Sequence, residues 1–458
     1  MKRRIDLKNM GIAALSALFA GISVHSENLW VFGIIGFAGI IYAWSRTSSA
    51  KAALWLGWLT GFIYFATSLR FLLAGYYSIG VTGILPVVGV VALYILICFS
   101  WGPAFYLARR LKHKTGFTGF VILWFLAEII RAYFAPAIPP SFLGDVWSQT
   151  PVIQVVSIIR IEGLSLLTMI AAATIAKDIG KKPVPLLALG LFAALWKMGY
   201  EVEKTPMPRY NGPVIAAINT ALPQDQRWNP EIIDAYIADL AERSQAAWAS
   251  GADIVLWPEN ATPYFLESRE FIAAAFPPEG KFLIHGATMI ADPNIASAYN
   301  GFVVTGTGGE TVATYRKVHL FPFAEYMPFA ETVSRITSLG TISTPDIATG
   351  GYRRGTTLDQ PLAFNIGEKA ISIIPLICYE ALVPITTPAT DDTVIINMTN
   401  DAWWVGTSGA HYISSAGRVR AIERGVPMIR VANLGPSYMV DAKGRLIKPR
   451  ADGFYNSP

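Results

Sequence analysis

The stretch ISIIPLICYE, residues 371–380, runs through a mostly apolar, β-branched segment and stops on a cysteine, a tyrosine and a glutamate. A short apolar run without polar alternation is the pattern of a strand covered on both faces, as in the middle of a parallel sheet. Similar runs lie on either side: PVIAAI (213–218), DIVLWPE (253–259), FLIHGATMI (282–290), GFVVTG (301–306), TVIINMTN (393–400) and PMIRVAN (427–433). Between the first two of these, Asn229 to Ser250 places Ile232, Ile233, Tyr236, Ile237, Leu240 and Ala241 at helical spacing. Asn229 is suited to cap that helix and Pro230 to open it. Strands alternating with helices predict an α/β domain from about Gly212 onward.

The chain before this domain has a different character. Of the 458 residues 53% are hydrophobic and only 15% are charged, with a mean hydropathy of +0.40. Soluble domains usually carry about 25% charged residues, so the balance points to a membrane. Apolar runs that begin near Met10, Leu29, Ala52, Thr82, Phe117, Ile161 and Val184 predict about seven helices, each near the roughly 20 residues that a bilayer requires. The first is read as a helix, not as a cleaved signal. Basic residues fall in alternate loops: Lys2, Arg3, Arg4 and Lys8; Arg46 and Lys51; Arg109, Arg110, Lys112 and Lys114; Lys177, Lys181 and Lys182. Positive charge collects on the cytoplasmic side, so the pattern predicts a cytoplasmic N-terminus and an extracytoplasmic α/β domain. It also accounts for the net charge of +5 without a nucleic-acid partner. The segment EVEKTPMPRYNGP (201–213) reads as the linker, which divides the chain into a transmembrane helical domain, 1–204, and a second domain, 205–458. Arg70, Glu128 and Arg131 fall in or near spans, where the two arginines are expected to snorkel to the interface.

Chemistry is expected where polar residues end apolar strands. Glu259 follows DIVLWP, Lys317 follows TVATYR and Cys378 follows ISIIPLI. Cys98, the other cysteine, lies in an apolar run, so no disulfide framework is expected. The five histidines show no metal-ligand spacing, so neither a metal nor any other cofactor is implied. GTGGE at Gly306–Glu310 reads as a hairpin turn before another strand, and Phe329–Gly355, rich in Gly, Thr and Ser, as a mobile cover.

In this order WPEN (257–260), YRKVHLFPFAEYMPF (315–329) and ICYE (377–380) resemble the nitrilase, or carbon-nitrogen hydrolase, superfamily. The resemblance implies a four-layer αββα sandwich and a triad: Glu259 as general base, Lys317 as stabiliser of the tetrahedral oxyanion, Cys378 as nucleophile. Over nearly its whole length the chain is similar to the apolipoprotein N-acyltransferase branch, which joins a multi-helix membrane region to such a domain. LPQDQRW (222–228), NMTNDAWW (397–404), AEIIR (127–131) and IEGLSLL (161–167) add to that likeness. By the same resemblance Cys378 would take an acyl chain from a phospholipid and pass it to the α-amine of a lipoprotein at the bacterial inner membrane. Glu325, Tyr379 and Glu380 would support the triad, and Trp228 and Trp403 would line the acyl path or anchor the domain at the membrane surface. RVANLGPSYMV (430–440) departs from the branch's usual segment, and no further membrane helix is expected after Leu446. The alternatives are a nitrilase-like protein of rhizobial conjugal-transfer operons, with another envelope substrate or no catalysis, and a membrane-anchored amidase.

Overall fold

The computed structural model describes residues 7–25, 29–78, 83–134, 141–178, 186–206, 212–227, 229–292, 297–322, 324–326 and 351–448. Trp228 and most of the expected cover, up to residue 350, lie outside them. The chain forms two compact units, Met1–Leu73 with Gly83–Thr205, and Ala74–Thr82 with Pro206–Pro458.

The first unit is helical: α1 (Leu7–Ile22), α2 (Trp30–Ser45), α3 (Ala50–Ser68), the start of α4 (Phe71–Ser78), α5 (Leu85–Cys98), α6 (Trp101–Phe134), α7 (Val156–Asp178) and α8 (Leu186–Lys204). Among the described residues three segments are long and apolar enough to cross a membrane: Leu7–His25, Pro86–Tyr133 and Pro151–Lys177. A fourth is added if the pair Ala50–Ser68 and Phe71–Tyr77, bent by 54°, is one broken span. Each run read as a span contains helix, but length and apolarity do not by themselves give seven crossings. Helix α2, with 16 residues, is only about 24 Å long at 1.5 Å per residue. Pro86–Tyr133, with 48 residues, is interrupted at Gly116 (φ 58°).

Aromatic side chains fill this unit. The Trp101 ring lies edge-on to Trp124 at 4.8 Å, and its indole Nε1 donates to Glu128 Oε1 at 2.6 Å. Arg131 Nη2 donates to Glu128 Oε2 at 2.6 Å and to the Ser141 carbonyl at 3.1 Å. Both charged side chains are about 1% exposed. The expectation that Arg131 snorkels is therefore overturned: a carboxylate one helical turn away and a backbone carbonyl satisfy the guanidinium inside the unit, so it has no need of the interface. Arg70 is exposed.

The second unit contains two sheets. One has the order β1 (Ile215–Ala217), β2 (Ile254–Leu256), β3 (Phe282–Asp292), β4 (Ser297–Thr305), β5 (Thr311–Arg316). The other has the order β11 (Leu446–Ile447), β10 (Tyr438–Val440), β9 (Met428–Asn433), β8 (Thr393–Asn400), β7 (Lys369–Ile377), β6 (Leu362–Ile366). Strands β1–β2–β3 and β7–β8–β9 pair in parallel, in keeping with the continuous apolar runs. Side chains alternate across each strand. Ile254, Leu256, Ile284 and Phe302 meet Ile373, Ile377, Ile396 and Val431 between the sheets. Val255, Trp257 and Leu283 face Ile233, Ile237 and Leu240 of α9 (Pro230–Ala249). On the far side Ile374, Leu376, Ile395 and Met428 pack with Ala421 of α10 (Gly409–Arg424). The result is the four-layer αββα sandwich. Helix α9 begins as read, with the Asn229 side chain accepting from Glu231 N at 3.1 Å. Gly306–Glu310 forms the β4–β5 turn, with Gly308 and Gly309 at φ 66° and 86°.

Candidate active site

The parallel strands β2 and β7 and the hairpin strand β5 deliver their terminal residues to one pocket. Glu259, Lys317 and Cys378 line it with Arg227, Asn300, Phe321, Glu325, Asn400, Trp403 and Trp404. Glu259 stands just past β2, where the chain turns at Asn260 (φ 45°). Gly286 of β3 makes room for that turn, since a Cβ there would come within 2.3 Å of Asn260 N and 2.6 Å of Glu259 Cα. Lys317 extends the β4–β5 ladder, with its amide donating to the Asn300 carbonyl at 2.8 Å. Cys378 is the first residue after β7 and adopts φ 55°, in the left-handed region that β-substituted residues seldom occupy. That turn swings its side chain out of the sheet's alternation.

The carboxylates and the ammonium form one buried network. Glu259 Oε1 accepts from Asn300 Nδ2 at 2.8 Å and Lys317 Nζ at 3.4 Å, and its Oε2 accepts from Asn400 N at 2.9 Å. Glu325 Oε1 accepts from Lys317 Nζ and Asn300 Nδ2, both at 2.9 Å, and its Oε2 accepts from Phe321 N at 2.7 Å. Lys317 also lies over the Tyr379 ring at 5.4 Å, and Tyr379 OH donates to the Leu320 carbonyl at 2.7 Å. Glu380 links the cysteine turn to the lysine loop: Oε2 accepts from Ile377 N at 2.8 Å, and Oε1 accepts from Tyr315 OH, Val318 N and His319 N at 2.9–3.0 Å.

Electrostatics follow from this burial. Burial works against the charged form of Lys317, but Glu325 and Glu259, with Cys378 and Glu380 further off, outweigh it and hold the ammonium well above the usual lysine range. Burial and then Glu259 push the Cys378 thiol up, and Lys317 offsets only part of this. The resting site therefore pairs a neutral thiol with a fixed cation. His319 is pushed down to about 4 by burial, Arg354 and Lys317, so it stays neutral at pH 7.

Several pocket residues escaped the sequence reading. Asn300 lends a single amide nitrogen to both Glu259 and Glu325. It is the polar residue inside SAYNGFVVT, and a buried amide in an apolar strand needs partners, which was a usable signal. Asn433 donates to Asn400 Oδ1 at 2.9 Å and to the Leu222 carbonyl at 2.8 Å, and accepts from Thr220 and Leu222. The segment that departs from the branch pattern thus supports the loop that supplies Glu259 with its Asn400 donor. Trp404 lies beside Trp403 at 6.3 Å. From α4, which joins this unit at Ala74, Gly75 lies against the Trp404 ring and Tyr76 OH donates to the Pro322 carbonyl at 3.2 Å.

Comparison with known proteins agrees with this architecture. The carbon-nitrogen hydrolase family profile matches residues 216–453, and the profile of the apolipoprotein N-acyltransferase N-terminal domain matches residues 16–174. The apolipoprotein N-acyltransferase of Brucella melitensis is 30% identical, over 95% of this chain and 86% of its own. This chain belongs to the apolipoprotein N-acyltransferase family. A second family relative, from Rhodopseudomonas palustris, is 28% identical over 96% of this chain and 87% of its own. Among solved structures an amidase from Nesterenkonia is 17% identical, covering 53% of this chain and 87% of its own, with a TM-score of 0.34. The family's two-part construction is present here, with the helical region and the hydrolase-type sandwich matched separately.

Proposed function

We propose that this chain is a membrane-bound N-acyltransferase that moves a fatty acyl group from a phospholipid, through Cys378, to an amine such as the N-terminus of an apolipoprotein. The observation that carries the reading is the convergence of Glu259, Lys317 and Cys378 on one pocket, in a chain of this family. In the first half-reaction Glu259 takes the thiol proton as sulfur attacks the ester carbonyl, and Lys317 stabilises the resulting oxyanion. Collapse breaks the ester C–O bond, and Glu259 returns the proton to the departing lysophospholipid oxygen. In the second half the neutral amine attacks the thioester carbonyl and Glu259 accepts an amine proton; collapse breaks the C–S bond, and Glu259 returns that proton to the departing sulfur. A cation placed before the oxyanion forms stabilises the transition state more than the ground state. A base is needed because desolvation and Glu259 hold the thiol neutral.

Glu325 holds Lys317 against the pull of Glu259, Glu380 and Tyr379 fix the cysteine turn against the lysine loop, and Trp403 lines the acyl path. The proposed arrangement is a transmembrane domain, 1–204, with its N-terminus in the cytoplasm of a bacterium, and a periplasmic domain, 205–458, at the inner membrane. The alternation of basic loops supports that orientation. The test is intact-protein mass spectrometry of the purified chain incubated with phospholipid. A hydroxylamine-sensitive acyl adduct that is absent from Cys378→Ala is expected; no adduct with any phospholipid would overturn the reading.

A further inference from the structure

A large cavity of the helical unit is far in sequence from Glu259, Lys317 and Cys378, and none of them lines it. It has a volume of about 940 Å³ and is bounded by the start of α1, the α2–α3 turn, α3 and the end of α5. That is at the top of the range of about 300–1,000 Å³ for small-molecule sites. Its chemistry is divided. Arg46, Thr47, Ser48, Ser49 and Lys51 line one part; Trp55, Trp58, Leu59, Phe62, Ile95 and Phe99 line the rest. Arg46 and Lys51 are exposed, while the Trp58 indole nitrogen is satisfied by the Phe99 carbonyl at 3.1 Å and so leaves its ring as wall.

Among the described residues no acidic side chain lines the cavity beside Arg46 and Lys51. From Leu7 to Ala127 the sequence holds one acidic residue, Glu27, against Lys8, Arg46, Lys51, Arg70, Arg109, Arg110, Lys112 and Lys114. Two cations and three hydroxyl-bearing residues above an apolar slot match a phosphate attached to hydrocarbon chains. Basic pockets between transmembrane helices on the positively charged side of a membrane protein take anionic lipid headgroups.

We infer that this cavity is a binding site for one anionic phospholipid, its phosphate between Arg46 and Lys51 and an acyl chain along Trp55, Leu59, Phe62 and Ile95. The inference rests on the membrane reading of the helical unit, but not on the acyl-transfer chemistry. A lipid held here lies in the leaflet on the side of the basic loops, whereas the catalytic domain is proposed for the other side. It is therefore a structural or regulatory lipid, not the acyl donor.

The test is native mass spectrometry of the full chain carrying Cys378→Ala, reconstituted with phosphatidylglycerol or phosphatidylcholine, so that turnover cannot be mistaken for binding. One phosphatidylglycerol retained in preference to phosphatidylcholine is expected. Arg46→Ala with Lys51→Ala is expected to lower its retention by about 10- to 30-fold, as two surface cations imply. Arg109→Ala with Arg110→Ala removes equal charge from another basic loop and is expected to leave retention unchanged. Equal retention of the two lipids, or an equal loss in both double variants, would overturn the site.

Discussion

Cys378 combines a left-handed backbone with a half-buried thiol that its surroundings hold protonated. Such backbone strain persists only where the surroundings enforce it, and here Glu380 enforces it by accepting from the strand amide of Ile377 while gripping Val318 and His319. The direction of the thiol shift has a measurable consequence. A raised thiol is protonated at neutral pH and loses its proton only as pH rises, so the rate of Cys378 alkylation by iodoacetamide should keep climbing through the alkaline range. A plateau between pH 6 and 8 would mean that a thiolate–Lys317 ion pair is already formed, and that Glu259 is not the base. Asn300 gives a second prediction at this scale. Its amide donates to two carboxylates beside the same ammonium, and bonds to charged groups are worth about 1.5–3 kcal/mol each. Asn300→Ala should lower the melting temperature and, assayed well below it where the chain is still folded, slow acyl-adduct formation by roughly 10- to 100-fold. An unchanged rate would reduce Asn300 to packing. Glu259, Lys317 and Cys378 stood out at strand ends but were read as a set only through the family resemblance; Asn300 left a signal as a polar residue in an apolar strand, whereas Asn400 and Asn433 did not, because a side-chain amide has no period and its partners lie up to 213 residues away.

Strand β3 shows how an element can serve the site and the fold together. Its Gly286 accommodates the Glu259 turn, and the adjacent His285 is fully buried, with Nε2 at 3.1 Å from Thr305 Oγ1. Burial lowers the His285 pKa from 6.5 to about 4. Between those values the unfolded chain binds a proton that the folded chain refuses, so stability falls as pH drops from 6.5 and levels off below 4. A shift of that size corresponds to about 3 kcal/mol. Thermal denaturation of the wild type should therefore lose more stability between pH 7 and 4.5 than that of His285→Gln, and parallel curves would show that His285 does not contribute. On α4, a Cβ on Gly75 would come within 2.2 Å of the Trp404 ring, so Gly75→Leu should push Trp404 toward the pocket and slow acylation while leaving Cys378 open to iodoacetamide. The parallel strands were legible as unbroken apolar runs, even where, as in β1 and β2, the strand itself is three residues long. Strands β6, β10 and β11 were not: they are antiparallel members of two to five residues toward the sheet's edges, too short to establish a period of two and specified by partners distant in sequence.

At the scale of the whole chain, the division into membrane and α/β parts was legible from apolarity alone, but the placing of Ala74–Thr82 was not. That segment follows α3 in sequence yet folds with the second unit, through contacts such as Tyr76 to Pro322 that no local pattern announces. The number of crossings was also beyond the sequence, because an apolar run does not reveal whether its helix is short, like α2, or broken, as at Gly116. This organisation separates an acyltransferase from an anchored amidase. Anchoring needs one span, whereas the helical region here matches the N-terminal domain of the acyltransferase family over residues 16–174. Replacing residues 1–73 with one plain apolar helix and residues 83–204 with a flexible linker retains Ala74–Thr82 and a single tether. The second unit keeps its own sheet-on-sheet core in such a chain, so Cys378 should still react with iodoacetamide. Acylation from phospholipid vesicles should fall at least 10-fold if the helical unit presents the donor. Undiminished acylation would make the helices a mere tether, and hydrolysis of small amides in the same chain would then favour the amidase.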